Sequence, residues 1–227
     1  HGLVAALVAV AAFVFAHQRF WLLAGSFSGF LLVAPLVATG LYAISRALEQ
    51  GQKPGLTTVV FVWRSGDSRL VRFGLLLALA GTGWVVTSAA VITAFSPTPI
   101  TTPLDFARHV MLARDHWLFE AWLMLGALMA APVFASSVVA IPLLLDRPVT
   151  VRQAVLTSWR CVLTNPVPLA LWASLIMGFT LLGLGSLALG LIAVVPMLGH
   201  ASWHAYRDLI APEDTADVAD AAGAPRP

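Results

Sequence analysis

Six apolar stretches divide the chain: Gly2 to Ala16, Phe20 to Ser45, Leu70 to Phe95, Trp117 to Leu145, Pro166 to Leu182 and Leu184 to Ala201. A helix needs about 20 mostly apolar residues to cross the hydrocarbon of a bilayer, and each stretch is read as one span. Positions 166 to 201 hold 36 residues without a charge. One rod of that length overshoots a bilayer, so the pattern predicts two spans joined by a tight turn at Gly183-Leu184-Gly185-Ser186.

The polar segments carry a second pattern. Thr150 to Thr164 puts Val151, Ala154, Val155, Ser158 and Val162 on one helical stripe with Arg152, Gln153 and Arg160 off it. That is an amphipathic helix lying in the interface and leading into Asn165-Pro166. Leu56 to Arg72 is a looser copy, with Trp63-Arg64 in place of Trp159-Arg160. Ser96 to Pro103 is a stiff extended loop, and Thr102, Pro103 and Asp105 make a helix start. The expectation is an all-α polytopic membrane helix bundle over residues 1–210, six transmembrane helices with interfacial amphipathic helices. Residues 211–227, rich in Pro, Ala and Gly with Glu213, Asp214, Asp217 and Asp220, are expected to be a disordered acidic tail.

Composition sharpens this. The chain is 59% hydrophobic and 11% charged, with a mean hydropathy of +0.87, so it needs a solvent as apolar as itself. A formal net charge of +2 gives no support to a nucleic-acid partner. The lone Cys161 forms no intrachain disulfide and is expected to be an inert cytoplasmic thiol. Charge placement sets the orientation: Arg46, Lys53, Arg64, Arg69, Arg72, Arg147, Arg152, Arg160 and Arg207 fall on one side, and Arg19, Arg108 and Arg114 on the other. By the positive-inside rule both termini are cytoplasmic, which agrees with an even number of spans. Gly2 to Ala16 has neither a preceding basic segment nor a clean cleavage site, so it is read as a first span whose lead-in lies before His1.

A three-fold hairpin repeat is suggested by the even spans. Ala34-Pro35 through Tyr42 aligns without gaps with Val195-Pro196 through Trp203, and Arg46 and Arg207 follow at the same distance; Ala131-Pro132 stands at the same place in span four. Each proline removes one backbone bond, and small residues follow that let a neighbouring helix approach. Gly25 with Gly29, and Gly126 with Ala130, are candidate helix-packing pairs of the same kind.

The stretch Val194-Val-Pro-Met-Leu-Gly-His-Ala-Ser-Trp-His-Ala-Tyr-Arg-Asp-Leu209 runs from apolar helix into two histidines, Trp203, Tyr206 and Arg207. It resembles the C-terminal signature of a family of predicted bacterial integral membrane proteins, the domain-of-unknown-function family 2189. The resemblance implies an architecture in a bacterial inner membrane, with a short basic segment before the first span, and no reaction.

Candidate chemistry is sparse. His200 and His204, four apart, suit two nitrogen ligands of a metal or haem, with a third to come from Asp146, Cys161 or His1. Against this stands an interfacial belt in which Trp203, Tyr206 and Arg207 anchor the helix end and His200 bonds a neighbouring helix. On a helix starting near Pro103, His109, His116 and Glu120 share a stripe that binds metal, relays protons or simply reaches an arginine or water. A phosphate loop, a zinc-protease motif and a nucleophile elbow are absent from the sequence, so no enzyme is expected. The leading expectation is a non-catalytic accessory, scaffold or assembly subunit of a larger respiratory or photosynthetic membrane complex, partnered by lipids and other integral subunits. A carrier or channel for a small or lipid-like substrate, with Ser136, Ser137, Thr39 or Thr87 lining a polar cavity, is the alternative. A haem or copper protein is the third, and the sequence names no particular cofactor.

Overall fold

The computed structural model describes residues 38–113 and 117–210, with Leu3, Leu7 and Val10 before them. Among the described residues there are helices and connections and no strand. Helix α1 covers 38–49. It is followed by α2 (Leu56–Arg64), α3 (Ser68–Phe95), α4 (Pro103–Phe106), α5 (Leu118–Ser137), α6 (Ala140–Asp146), α7 (Val151–Thr164), α8 (Pro166–Gly185) and α9 (Leu191–Leu209). Three of the described helical stretches are long and apolar enough to cross a membrane: Ser68–Phe95, Leu118–Asp146 and Pro166–Gly185. Predicted span one and most of span two lie outside the described residues.

Helix α3 starts where Asp67 accepts the Arg69 amide at 2.9 Å. Its 28 residues reach about 42 Å at 1.5 Å per residue, more than the hydrocarbon thickness. The 118–146 span is interrupted at Val138-Val139. Pro142 supplies no amide and its ring crowds the carbonyl four residues back. At the break, the Val139 amide turns out of the helix and donates to the buried Ser158 hydroxyl at 3.1 Å. The interruption therefore docks α7 onto the span.

Helix α7 follows the amphipathic pattern. A capping box closes its start, the Thr150 amide donating to Gln153 Oε1 at 2.9 Å and the Gln153 amide to Thr150 Oγ1 at 3.3 Å. Ala154, Ser158 and Cys161 are buried, and Arg152, Gln153 and Arg160 are exposed. The helix packs across α5 and α6 and reaches α3. Cys161 is thus shut inside, and burial pushes its thiol up from the ordinary range. Since the thiolate is the reactive form, maleimide labelling is expected to be roughly tenfold or more slower in the folded protein than after SDS denaturation. Equal rates would place the thiol outside the bundle.

Two expected local structures differ. The turn after α8 is not at Gly183–Ser186: α8 continues through Gly185, and residues 186–190 make the turn, with Leu187 and Ala188 at positive φ. Gly183 and Gly190 serve close approach instead. A Cβ on Gly183 would stand 2.8 Å from Leu191 Cδ2, and one on Gly190 2.9 Å from the Gly183 Cα. The helix from Pro103 does not run on to Glu120 either. Asp105 collects the Thr101 and Thr102 amides and the Thr101 hydroxyl, but the helix passes into a π turn over Ala107–Met111 and stops.

The main core lies where α1, α6, α7 and α9 converge. Tyr42, Val139, Ala140, Leu143, Leu144, Ala154, Trp203 and Tyr206 are buried there together. Gly199 brings α9 onto α1: a Cβ there would lie 2.5 Å from Leu41 Cδ1 and 2.9 Å from Leu41 Cβ. Gly199→Ala should cost about 1–3 kcal/mol by overpacking. Combined with Leu41→Ala it should cost less than the sum of the two single losses in an SDS unfolding titration; strict additivity would remove the contact from the account.

Candidate functional site

The densest polar constellation surrounds the C-terminal end of α6. The last carbonyls of a helix lack intrahelical partners and carry the negative end of its dipole, so they attract cations. Two arginines from other elements meet that need. Arg46 of α1 donates to the carbonyls of Leu145 (3.1 Å) and Asp146 (3.3 Å), and its Nε lies 3.3 Å from Asp146 Oδ1. Arg69 of α3 donates to the carbonyls of Arg147 (3.0 Å) and Val149 (2.8 Å) and pairs with Asp67 at 2.6 Å. This pairing holds the Asp67 carboxyl below the usual carboxylate range and raises Arg69.

Asp146 is the hub. Its side chain is 13% exposed; it accepts the Tyr206 hydroxyl at 2.8 Å and lies 3.6 Å from Arg207 Nη1. Burial, then the bond to Asp146, pushes the Tyr206 phenol up, so it remains a donor throughout the physiological range. Glu49 is the second acid: it accepts from Trp203 Nε1 at 3.1 Å and from Arg207 Nε at 3.1 Å. Above it, Ser45 Oγ and His200 Nδ1 share a 2.6 Å hydrogen bond. The ends of α1, α6 and α9 are thereby tied side chain to side chain. What such an arrangement does chemically is hold three helix ends in one register.

The interfacial belt expected of Trp203, Tyr206 and Arg207 takes another form, for the two rings turn inward while Arg207 stays about a third exposed and reaches Glu49 and Asp146. Trp203 and Tyr206 are 0% and 1% exposed, their rings 5.4 Å apart, facing the bundle interior. The reason is polar satisfaction: the indole N–H and the phenol find carboxylates inside the bundle, which lipid cannot supply.

The other candidates scatter. His200 points to Ser45, while His204, on the same helix, is exposed. His109 shares a hydrogen bond through Nδ1 with the Asp105 carbonyl at 3.1 Å, Glu120 is exposed in the first turn of α5, and His116 lies outside the described residues. With the helix broken after Met111, the stripe proposed for His109, His116 and Glu120 loses its continuous support. Among the described residues no group of three or more His, Cys, Asp or Glu is placed to hold a metal ion. Gly126 admits Trp84, whose ring would come within 3.1 Å of a Cβ there, while Ala130 is exposed. Gly25, Gly29 and the 211–227 tail lie outside the described residues.

Glu49 received no role from the sequence, although a signal was present. Glu49 and Asp146 both stand fourteen residues after the proline of their span, Pro35 and Pro132, extending the alignment that stopped at Arg46.

Long apolar helices, internally satisfied polar ends and an amphipathic helix seated across the spans define an all-helical integral membrane protein. Residues 20–146 match the family described as "Predicted integral membrane protein (DUF2189)", and the chain belongs to that family. No curated protein and no solved structure matches it. The match contains Arg46, Glu49 and Asp146 and ends before Trp203, Tyr206 and Arg207, although the resemblance in the sequence was carried by the latter segment.

Proposed function

We propose that the protein is a non-catalytic subunit, an accessory or assembly scaffold that packs its apolar helices against a larger complex in the bacterial inner membrane. The observation that carries this reading is the asymmetry of the bundle. Only 11% of the spanning window is buried inside the chain for α3 and for α8, against 33% for 118–146. Helix α8 packs chiefly on α9, leaving Leu171, Leu175, Met177, Leu181 and Leu182 exposed. Meanwhile the charged groups at the α6 end satisfy one another, so that end behaves as a clamp and the spans as contact surface. A six-span topology with cytoplasmic ends is supported by Arg46, Arg69, Arg147 and Arg207 all gathering at that end.

The carrier reading asked for a polar cavity at mid-depth. Of the side chains named for it, Ser136 accepts from Trp159 Nε1 at 3.0 Å and Ser137 donates to the Val133 carbonyl at 2.8 Å. Extraction in mild detergent, followed by native gel separation and identification of bound chains, tests the scaffold reading. A partner in fixed ratio is the expected result; a lone monomer from every mild detergent would count against it.

A further inference from the structure

Helices α3 and α5 part at the end crossed by α7, leaving an open cavity of about 270 Å³. Leu76 and Ala80 of α3, Pro132, Val133 and Ser136 of α5, and Val155 of α7 form much of its wall. The Ser136 hydroxyl is already bonded by Trp159, so the wall offers hydrocarbon and little else. Leu76 and Ala80 lie about 12–18 Å along α3 from Ser68 at 1.5 Å per residue, in the half of the bilayer next to α7. Apolar space at that depth is filled by apolar groups and not by water.

Helical spacing puts two cations next to residues of its wall. Arg72 precedes Leu76 by four residues and shares its face of α3; Arg152 precedes Val155 by three on α7. Both are exposed. Arg46, Arg69 and Arg207 each bind a carboxylate, whereas neither Arg72 nor Arg152 has a carboxylate partner among the described residues. The guanidinium fork matches a phosphate diester in geometry and charge, and its stem reaches from apolar surface to the headgroup layer. Basic pockets between spanning helices bind anionic headgroups on these grounds.

We propose that the groove between α3 and α5 beneath α7 is a binding site for one anionic phospholipid of the surrounding membrane, an acyl chain lying along Leu76, Ala80 and Val133 and its phosphate held by Arg72 and Arg152. The site is independent of the scaffold reading and requires only that the protein be embedded in a membrane.

Native mass spectrometry of the detergent-purified chain, titrated with phosphatidylglycerol or with phosphatidylcholine of the same acyl chains, tests it. One phosphatidylglycerol per chain should be retained with a preference of about tenfold or more over phosphatidylcholine. The double variant R72Q/R152Q should abolish the preference. A80F, which fills the groove and keeps both arginines, should lose the retained phosphatidylglycerol. Equal retention of the two lipids by the parent chain overturns the proposal, as does undiminished preference in R72Q/R152Q. Full retention by A80F would show headgroup attraction without a groove and overturns it too. Both arginines are exposed, so their replacement leaves packing intact and the preference test stands by itself should A80F fail to fold.

Discussion

Replacing Trp203 by Ala should cost about 3–5 kcal/mol, the largest loss expected from any single side chain here. Trp203 is 0% exposed, packs against Tyr42 and Tyr206 with ring centroids 6.4 and 5.4 Å away, and joins α9 to α1 through Glu49. Truncation therefore opens a cavity in the core where α1, α6 and α9 meet, and leaves Glu49 with Arg207 alone. Trp203→Phe separates the two effects, keeping most of the volume while deleting the N–H; its cost should be about 1–2 kcal/mol. An SDS unfolding titration in mixed micelles reads both. If Trp203→Ala unfolds at the parent's midpoint, the ring lies in lipid and the convergence of α1, α6 and α9 is not as described.

Asp146→Ala should follow at about 2–3 kcal/mol. The change strips Tyr206 of its acceptor and removes the carboxylate that pairs with Arg46, leaving Arg207 with Glu49 alone. The value stays at the lower end for a broken ion pair because the two arginines are about a third exposed and solvent screens them. Asp146→Asn keeps an oxygen for the Tyr206 hydroxyl and should cost less. Combining Asp146→Ala with Tyr206→Phe should give less than the sum of the two single losses, since they share one bond. Strict additivity in that cycle would mean that the hydroxyl and the carboxylate do not interact.

The apolar blocks 70–95, 117–145 and 166–182 came within a few residues of α3, α5 with α6, and α8, because a chain in lipid must satisfy its backbone locally and hydrophobic length alone then marks a span. The stripe of α7 and its Thr150–Gln153 cap were legible for a related reason, both being patterns inside one helix. The turn after α8 was misplaced: glycine signals freedom of the backbone and also closeness of a neighbour, and only the packing of α9 on α8 shows that Gly183 and Gly190 serve the second purpose. The π turn at Ala107–Met111 gave no sign in the residue pattern.

From the sequence by itself come the solvent, the helices and the end at which the arginines collect, since all three follow from hydrophobicity and charge summed along the chain. The tertiary structure alone decided the partners: that Arg46 and Tyr206 meet at Asp146, that Trp203 turns inward to Glu49, and that α3 and α5 separate under α7. Those side-chain contacts join residues 60 to 154 positions apart, and no periodicity within a helix records which distant group will stand opposite a given face.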